Sequence, residues 1–183
     1  MKVTALLMTA FLLIAALTGC DKTYTLTTGS GPTPTPTPPP CSGTGFFGND
    51  NTVFNGLNPN YAFGSAFTNV DSASVTALAV YSNAYGNAIL GIYSDNAGLP
   101  NKLLGQTASQ YCSLGWNYLP LTLHLYPGTY WLIAITDTAN IGQNSSGGYA
   151  AYKAQTFGPL PNSLSGASTV VNTLIIAALY SCP

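Results

Sequence analysis

An all-β fold, a two-sheet antiparallel β-sandwich of the jelly-roll kind, is predicted by three features of the sequence. Short segments rich in β-branched, aromatic and leucine residues recur between Tyr61 and Tyr180. Turn-forming residues separate them, and no stretch among them makes a convincing helix. About eight short strands with such spacing favour a sandwich.

Taken in order, Tyr61 to Val70 is a weaker strand candidate, and Val75 to Ser82 (VTALAVYS) and Ala88 to Ser94 (AILGIYS) are strong ones. Tyr85-Gly86-Asn87 divides that pair, and Asn96-Ala97-Gly98-Leu99-Pro100 closes it. Leu103 to Ser109 is again weaker. Asn117 to Leu125 (NYLPLTLHL) and Thr129 to Asp137 (TYWLIAITD) flank Pro127-Gly128, which reads as a tight turn. Tyr130 and Trp131 then point to opposite faces of one strand, so one of them enters the core, expected beside Trp116. Asn144-Ser145-Ser146-Gly147-Gly148 precedes a weaker candidate, Gly148 to Thr156. In Thr169 to Tyr180, Ala177 and Ala178 favour a helix. Val170, Val171, Thr173, Ile175 and Ile176 favour a strand, and they outnumber the alanines.

The amino terminus is of another kind. Lys2 is followed by the apolar run Ala5 to Leu17 and then by Leu17-Thr18-Gly19-Cys20. The run is shorter than the roughly 20 residues that span a bilayer and has the length of a signal-peptide h-region. Leu-Thr-Gly-Cys resembles the lipobox of bacterial lipoproteins. That resemblance implies a signal peptide over 1–19, a diacylglyceryl thioether on Cys20, and a lipid anchor in a membrane of the bacterial cell envelope, on its extracytoplasmic side. Asp21 after the cysteine resembles the inner-membrane retention signal of enteric bacteria, a rule that does not hold in all bacteria. Residues 20–40 then form a stalk: Asp21 to Gly31 is polar and cannot build a core, and Pro32 to Pro40 (PTPTPTPPP) favours extended polyproline II. At about 3.1 Å per residue the proline run is a spacer of roughly 28 Å.

Residues 41–183 are expected to be one domain. The chain contains neither Arg nor Glu, and 5% of its residues are charged. Without residues 1–19, Lys22, Lys102 and Lys153 face Asp21, Asp50, Asp71, Asp95 and Asp137, a net charge of −2. Nucleic acid is excluded as a partner, because two lysines in the domain cannot neutralise a phosphate backbone. Polarity comes from amides and hydroxyls, and a surface with so little charge associates readily, with sugars or with protein.

A second resemblance is carried by Leu90-Gly91-Ile92-Tyr93-Ser94-Asp95 with Gly98, Pro100 and Leu103-Leu104, by Gly115-Trp116-Asn117, and by Pro127-Gly128-Thr129-Tyr130-Trp131-Leu132. Their order resembles jelly-roll domains of bacterial cell-surface and secreted proteins. The resemblance implies a fold and names no catalytic residues.

No enzyme is expected. Without Glu, a carboxylate pair would have to come from four aspartates near turns, and a hydrolytic triad would need the single His124, which alternates with leucines as a solvent-facing strand residue. No Gly-x-Ser-x-Gly elbow, His-Glu-x-x-His or phosphate loop occurs. No cofactor and no metal are expected. Asn49-Asp50-Asn51 and Ser94-Asp95-Asn96 offer the hard oxygens that Ca²⁺ takes, but neither has EF-hand spacing and hydrogen-bonded turns without metal are the favoured reading. With Cys20 acylated, an odd set of cysteines remains. Cys41 and Cys182, near the two ends of the domain, are expected to form a disulfide that leaves Cys112 as a buried thiol; a bond from Cys112 to either is the alternative.

Two functions fit these features. One is a surface-displayed, non-catalytic binding module for glycans or another envelope component. It would use exposed tyrosines beside amides, with Tyr85 (between Asn83 and Asn87) and Tyr149 (after Asn144-Ser145-Ser146) as candidate ligand contacts. The other is a structural or assembly subunit of the envelope with no small-ligand site. The first requires an exposed aromatic cluster in a shallow groove, the second a flat apolar face or a free strand edge.

Overall fold

Every regular element among the described residues is a β-strand. The computed structural model describes residues 42–51, 55–56, 59–144 and 147–182, all of them within the unit Pro38–Pro183 into which the chain divides after Thr37. The expected signal peptide, stalk, Cys20 and Cys41 lie outside them. In chain order the strands are β1 (Thr44–Gly48), β2 (Asn55–Gly56), β3 (Tyr61–Asn69), β4 (Ala73–Ser82), β5 (Gly86–Asn96), β6 (Leu99–Gln106) and β7 (Gln110–Cys112). They continue as β8 (Gly115–Leu125), β9 (Gly128–Thr136), β10 (Gly142–Asn144), β11 (Ala150–Ala154), β12 (Ser168–Val170), β13 (Thr173–Leu174) and β14 (Ile176–Ser181).

Three antiparallel sheets result. The smaller main sheet runs β1-β14-β4-β8, and the larger runs β12-β11-β3-β9-β5-β6, with β7 also paired to β5. A ribbon, β13-β10-β2, completes the set. Take the eight principal strands β1, β3, β4, β5, β6, β8, β9 and β14 in chain order. The smaller sheet then reads first-eighth-third-sixth, and the core of the larger reads second-seventh-fourth-fifth. The chain therefore changes sheet at almost every step. This is the strand order of a jelly roll.

Alternation fills the space between the sheets. Val75, Leu78 and Val80 of β4, Leu119 and Leu125 of β8, Leu90 and Ile92 of β5, and Leu132 of β9 are buried in one cluster with Phe47, Phe63, Leu174 and Ile176. The expected turn after β5 is a two-residue hairpin: Ala97 and Gly98 both have positive φ (53° and 78°), the signature of a type I′ turn, and β6 resumes at Leu99. Thr169 to Tyr180 is three short strands instead of one, because Asn172 turns the chain. Its side chain accepts from the Thr173 N–H at 2.9 Å and donates to Gln143 Oε1.

The position of Trp131 corrects the expectation for the paired aromatics. Trp131 is fully buried, but on the outer face of the larger sheet, in a second core with Ile89, Tyr93, Ile133, Ile135, Leu160 and Leu164. Trp116 lies on the other sheet. Residues 155–167, between β11 and β12, cover this outer face as a strap. Leu160 drops onto Gly91, where a Cβ would stand 2.5 Å from its Cδ1 and push the leucine tip aside. Tyr93 donates its hydroxyl to the Pro161 carbonyl at 2.7 Å, and Gln106 Oε1 accepts from the Leu160 N–H at 2.8 Å. The centre of the larger sheet, on β9 and β5, is therefore buried on both faces, and the smaller sheet keeps one face open.

Cys112 on β7 is a free, buried thiol, pushed up to about 11 by burial and then by the nearby Asp137. Cys182 is disulfide-bonded, and the other half of that bond lies outside the described residues.

Candidate functional site

Register places an aromatic trough on the open face of the smaller sheet. In one row across the sheet, Phe46 pairs with Leu179, Leu179 with Ala77, and Ala77 with Pro120. In the next row Gly48, Ala177, Ala79 and Tyr118 follow one another, and beyond it Tyr81 pairs with Trp116. The two central strands thus supply a floor of small side chains. The edge strands supply rings: Phe46 on β1, Trp116 and Tyr118 on β8. With neighbouring strands about 4.8 Å apart, those edges stand roughly 14 Å from each other across the floor.

The result is a groove of about 610 Å³ lined by Phe46, Trp116, Tyr118, Ala79, Ala177 and Leu179, with Thr44, Thr76, Asp50 and Tyr180 supplying polar atoms. Phe46 is 50% exposed and Tyr118 55%, whereas Ala79 and Ala177 are buried beneath them. Phe46 and Tyr118 thus leave large rings in water over an otherwise packed sheet. Trp116 is braced edge-on by Tyr81, ring centroids 5.7 Å apart. Tyr180 is fixed by donating its hydroxyl to Asp71 Oδ2 at 2.7 Å. That bond, then burial and the aspartate charge, raises the phenol above its ordinary range. The Trp116 wall is therefore preset, and a ligand binding there does not have to order it.

The sequence-derived candidates fall elsewhere. Tyr85 is exposed at the β4–β5 turn and stacks on exposed Tyr111, centroids 6.3 Å apart and planes 17° from parallel. Its carbonyl accepts from Thr138 Oγ1, and the next residues are tied down by Asp137, whose carboxylate accepts from the Asn87 backbone at 2.6 Å and the Asn87 amide at 2.7 Å. Burial works to raise Asp137, but the hydrogen bonds from Asn87 and Thr138 prevail and hold it down at about 2. Tyr149 is also exposed, just before β11. The rows Ala150–Ser65–Leu132–Ile92 put Tyr149 level with the far half of β5, three strands away from it. Tyr85 precedes the first residue of β5. Eight residues at about 3.3 Å each separate the two levels, on the order of 26 Å. Tyr85 and Tyr149 do not form one site, and neither lines the trough.

The loops offered for a cation are engaged in part. Asp95 accepts from Trp131 Nε1 at 2.7 Å through Oδ1 and from the Gly98 N–H at 3.2 Å through Oδ2, so it braces the second core and the hairpin. Asn49 Oδ1 accepts from the Asn51 N–H. Among the described residues no group of three or more His, Cys, Asp or Glu side chains could hold a metal ion. His124 is exposed at the far end of β8, with Ser72 Oγ 3.3 Å from Nε2 and Ser74 Oγ 3.4 Å from Nδ1. A smaller hollow of about 310 Å³ beside Tyr61 and Tyr152 has its amides occupied: Asn172 donates to Gln143, and Gln143 to the Gly56 carbonyl.

Phe46 and Tyr118 are the residues that sequence reasoning passed over. A signal existed for one of them: Trp116 and Tyr118 are two apart on a strand whose other face carries Asn117 and Leu119, so both rings share the outward face. Compared with family models, curated proteins and solved structures, the chain matches none.

Proposed function

We propose that the chain is a lipid-anchored, surface-displayed module that binds polysaccharide without catalysing its breakdown. The trough on the open face of the smaller sheet carries this reading. A pyranose presents a face of C–H groups that packs on an aromatic ring, and its hydroxyls need donors and acceptors at the edge. Rings on both sides of a small-residue floor, with threonine and tyrosine hydroxyls and a carboxylate among them, offer both. Cys20 supplies the anchor, and the proline-rich run Pro32 to Pro40 separates anchor from domain.

Phe46→Ala and Tyr118→Ala are each expected to weaken binding to purified cell-wall or capsular polysaccharide by about tenfold or more, the loss of a ring contact at a hot spot. Both side chains are half-exposed, so the melting temperature should barely change. Tyr85→Ala should bind as the unaltered chain does. Affinity electrophoresis reads all three; equal binding by all of them would remove the trough from the function.

The same reading includes a disulfide between Cys41 and Cys182. Thr44 pairs with Ser181, and the Cys182 N–H donates to the Gly43 carbonyl at 2.9 Å, so the chain entering β1 meets the chain leaving β14. Peptide mapping without reductant is expected to recover Cys41 and Cys182 in one linked fragment, with Cys112 alkylated only after unfolding. A Cys20–Cys182 fragment would overturn both this pairing and the lipidation of Cys20.

A further inference from the structure

We infer that the trough selects uncharged glycan chains and that Asp50 at its rim turns acidic ones away, an inference that rests on the polysaccharide-binding reading. Both lysines among the described residues belong to the larger sheet, Lys102 on β6 and Lys153 on β11, and Lys153 spends its ammonium on the Ser165 carbonyl at 2.9 Å. The smaller sheet contributes none. The charge at its open face is a carboxylate instead: Asp50 lines the trough. A uronate or phosphate chain laid between Phe46 and Tyr118 would meet negative charge and no cation among the described residues, and close contact between like charges is repulsive even in water. A neutral chain meets rings, hydroxyls and a carboxylate that can accept from its own hydroxyls.

Tyr81, Tyr118 and His124 are further titratable side chains on this sheet's open side, with His124 exposed at the far end of β8 beside Ser72 and Ser74.

The full chain, purified in detergent, is tested against neutral polysaccharides (β-glucan, mannan, galactan) and acidic ones (polygalacturonate, alginate) at low salt. At least one neutral polymer is expected to bind and no acidic one. Asp50→Lys is expected to gain binding to polygalacturonate, about tenfold or more above the unaltered chain, with the gain lost at high salt. The domain should melt as before, because Asp50 is exposed. If neutral and acidic polymers bind alike and Asp50→Lys changes nothing, charge selection is wrong while polysaccharide binding stands. If no polymer binds and Tyr118→Ala leaves that unchanged, the polysaccharide reading itself fails. Sedimentation that shows a dimer broken by Tyr118→Ala makes a second copy the occupant and overturns both.

Discussion

Trp131→Ala is expected to destabilise the domain by about 3–5 kcal/mol, a large share of the roughly 5–15 kcal/mol that holds a domain of this size folded. Two losses coincide at this position. The indole fills the space between the larger sheet and the strap, packed with Tyr93, Ile133, Leu160 and Leu164, and alanine leaves a cavity there. Its Nε1–H also donates to Asp95 Oδ1 at 2.7 Å, and Asp95 braces the hairpin at Gly98. Trp131→Phe separates the two, because it keeps most of the ring and drops only the donor. It is expected to cost distinctly less, near the roughly 1.5–3 kcal/mol of a hydrogen bond to a charged group. Urea unfolding of both variants decides the matter. A loss under about 1 kcal/mol for the alanine variant would mean that the strap contributes no packing of consequence.

The prediction also shows where sequence reasoning reached its limit. The principal strands were legible because β4, β5, β8 and β9 are rich in Val, Ile, Leu and aromatic residues, and Asn96-Ala97-Gly98 marked its hairpin. β1 was not, because Thr-Gly-Phe-Phe-Gly carries two glycines and has the composition of a loop. The strap was hidden for a similar reason. Its segment Gly158-Pro159-Leu160-Pro161-Asn162-Ser163 is rich in turn formers, and only tertiary contact makes Leu160 a core residue. Yet Tyr130 to Ile135 is apolar at successive positions, the mark of a strand buried on both faces, and that alone implied a layer outside the larger sheet.

The trough was less legible than the fold, and the cause is topological. Phe46 lies on the first strand and Tyr118 on the sixth of the eight principal ones, and the jelly roll brings them to opposite edges of one sheet with β14 and β4 between. No local pattern encodes that meeting. Composition favoured Tyr85 and Tyr149 because amides flank them, and both are indeed exposed. Exposure without a shared floor does not make a groove.

Cys20→Ala is expected to abolish lipid labelling outright, an effect of all-or-none kind, and to leave the precursor held only by its uncleaved apolar run Ala5 to Leu17. The proposed anchor is a thioether, and alanine has no sulfur on which to form it. Without that modification the processing step that follows it does not proceed, and the chain accumulates with residues 1–19 attached. The energetics explain why nothing in residues 20–183 substitutes. Each buried CH₂ contributes about 0.8 kcal/mol, so a single acyl chain binds only marginally, while several chains on one cysteine hold effectively for good. Residues 20–183 have no comparable attraction of their own: three lysines against five aspartates give no basic patch for an anionic bilayer. Two measurements check this. Incorporation of labelled palmitate should be present in the unaltered protein and absent from Cys20→Ala, and intact mass should fit a chain beginning at an acylated Cys20 in the first and an unprocessed precursor in the second. An unaltered protein whose mature chain is unlipidated and begins at another residue would show that Leu17-Thr18-Gly19-Cys20 is an ordinary cleavage region with a cysteine near it.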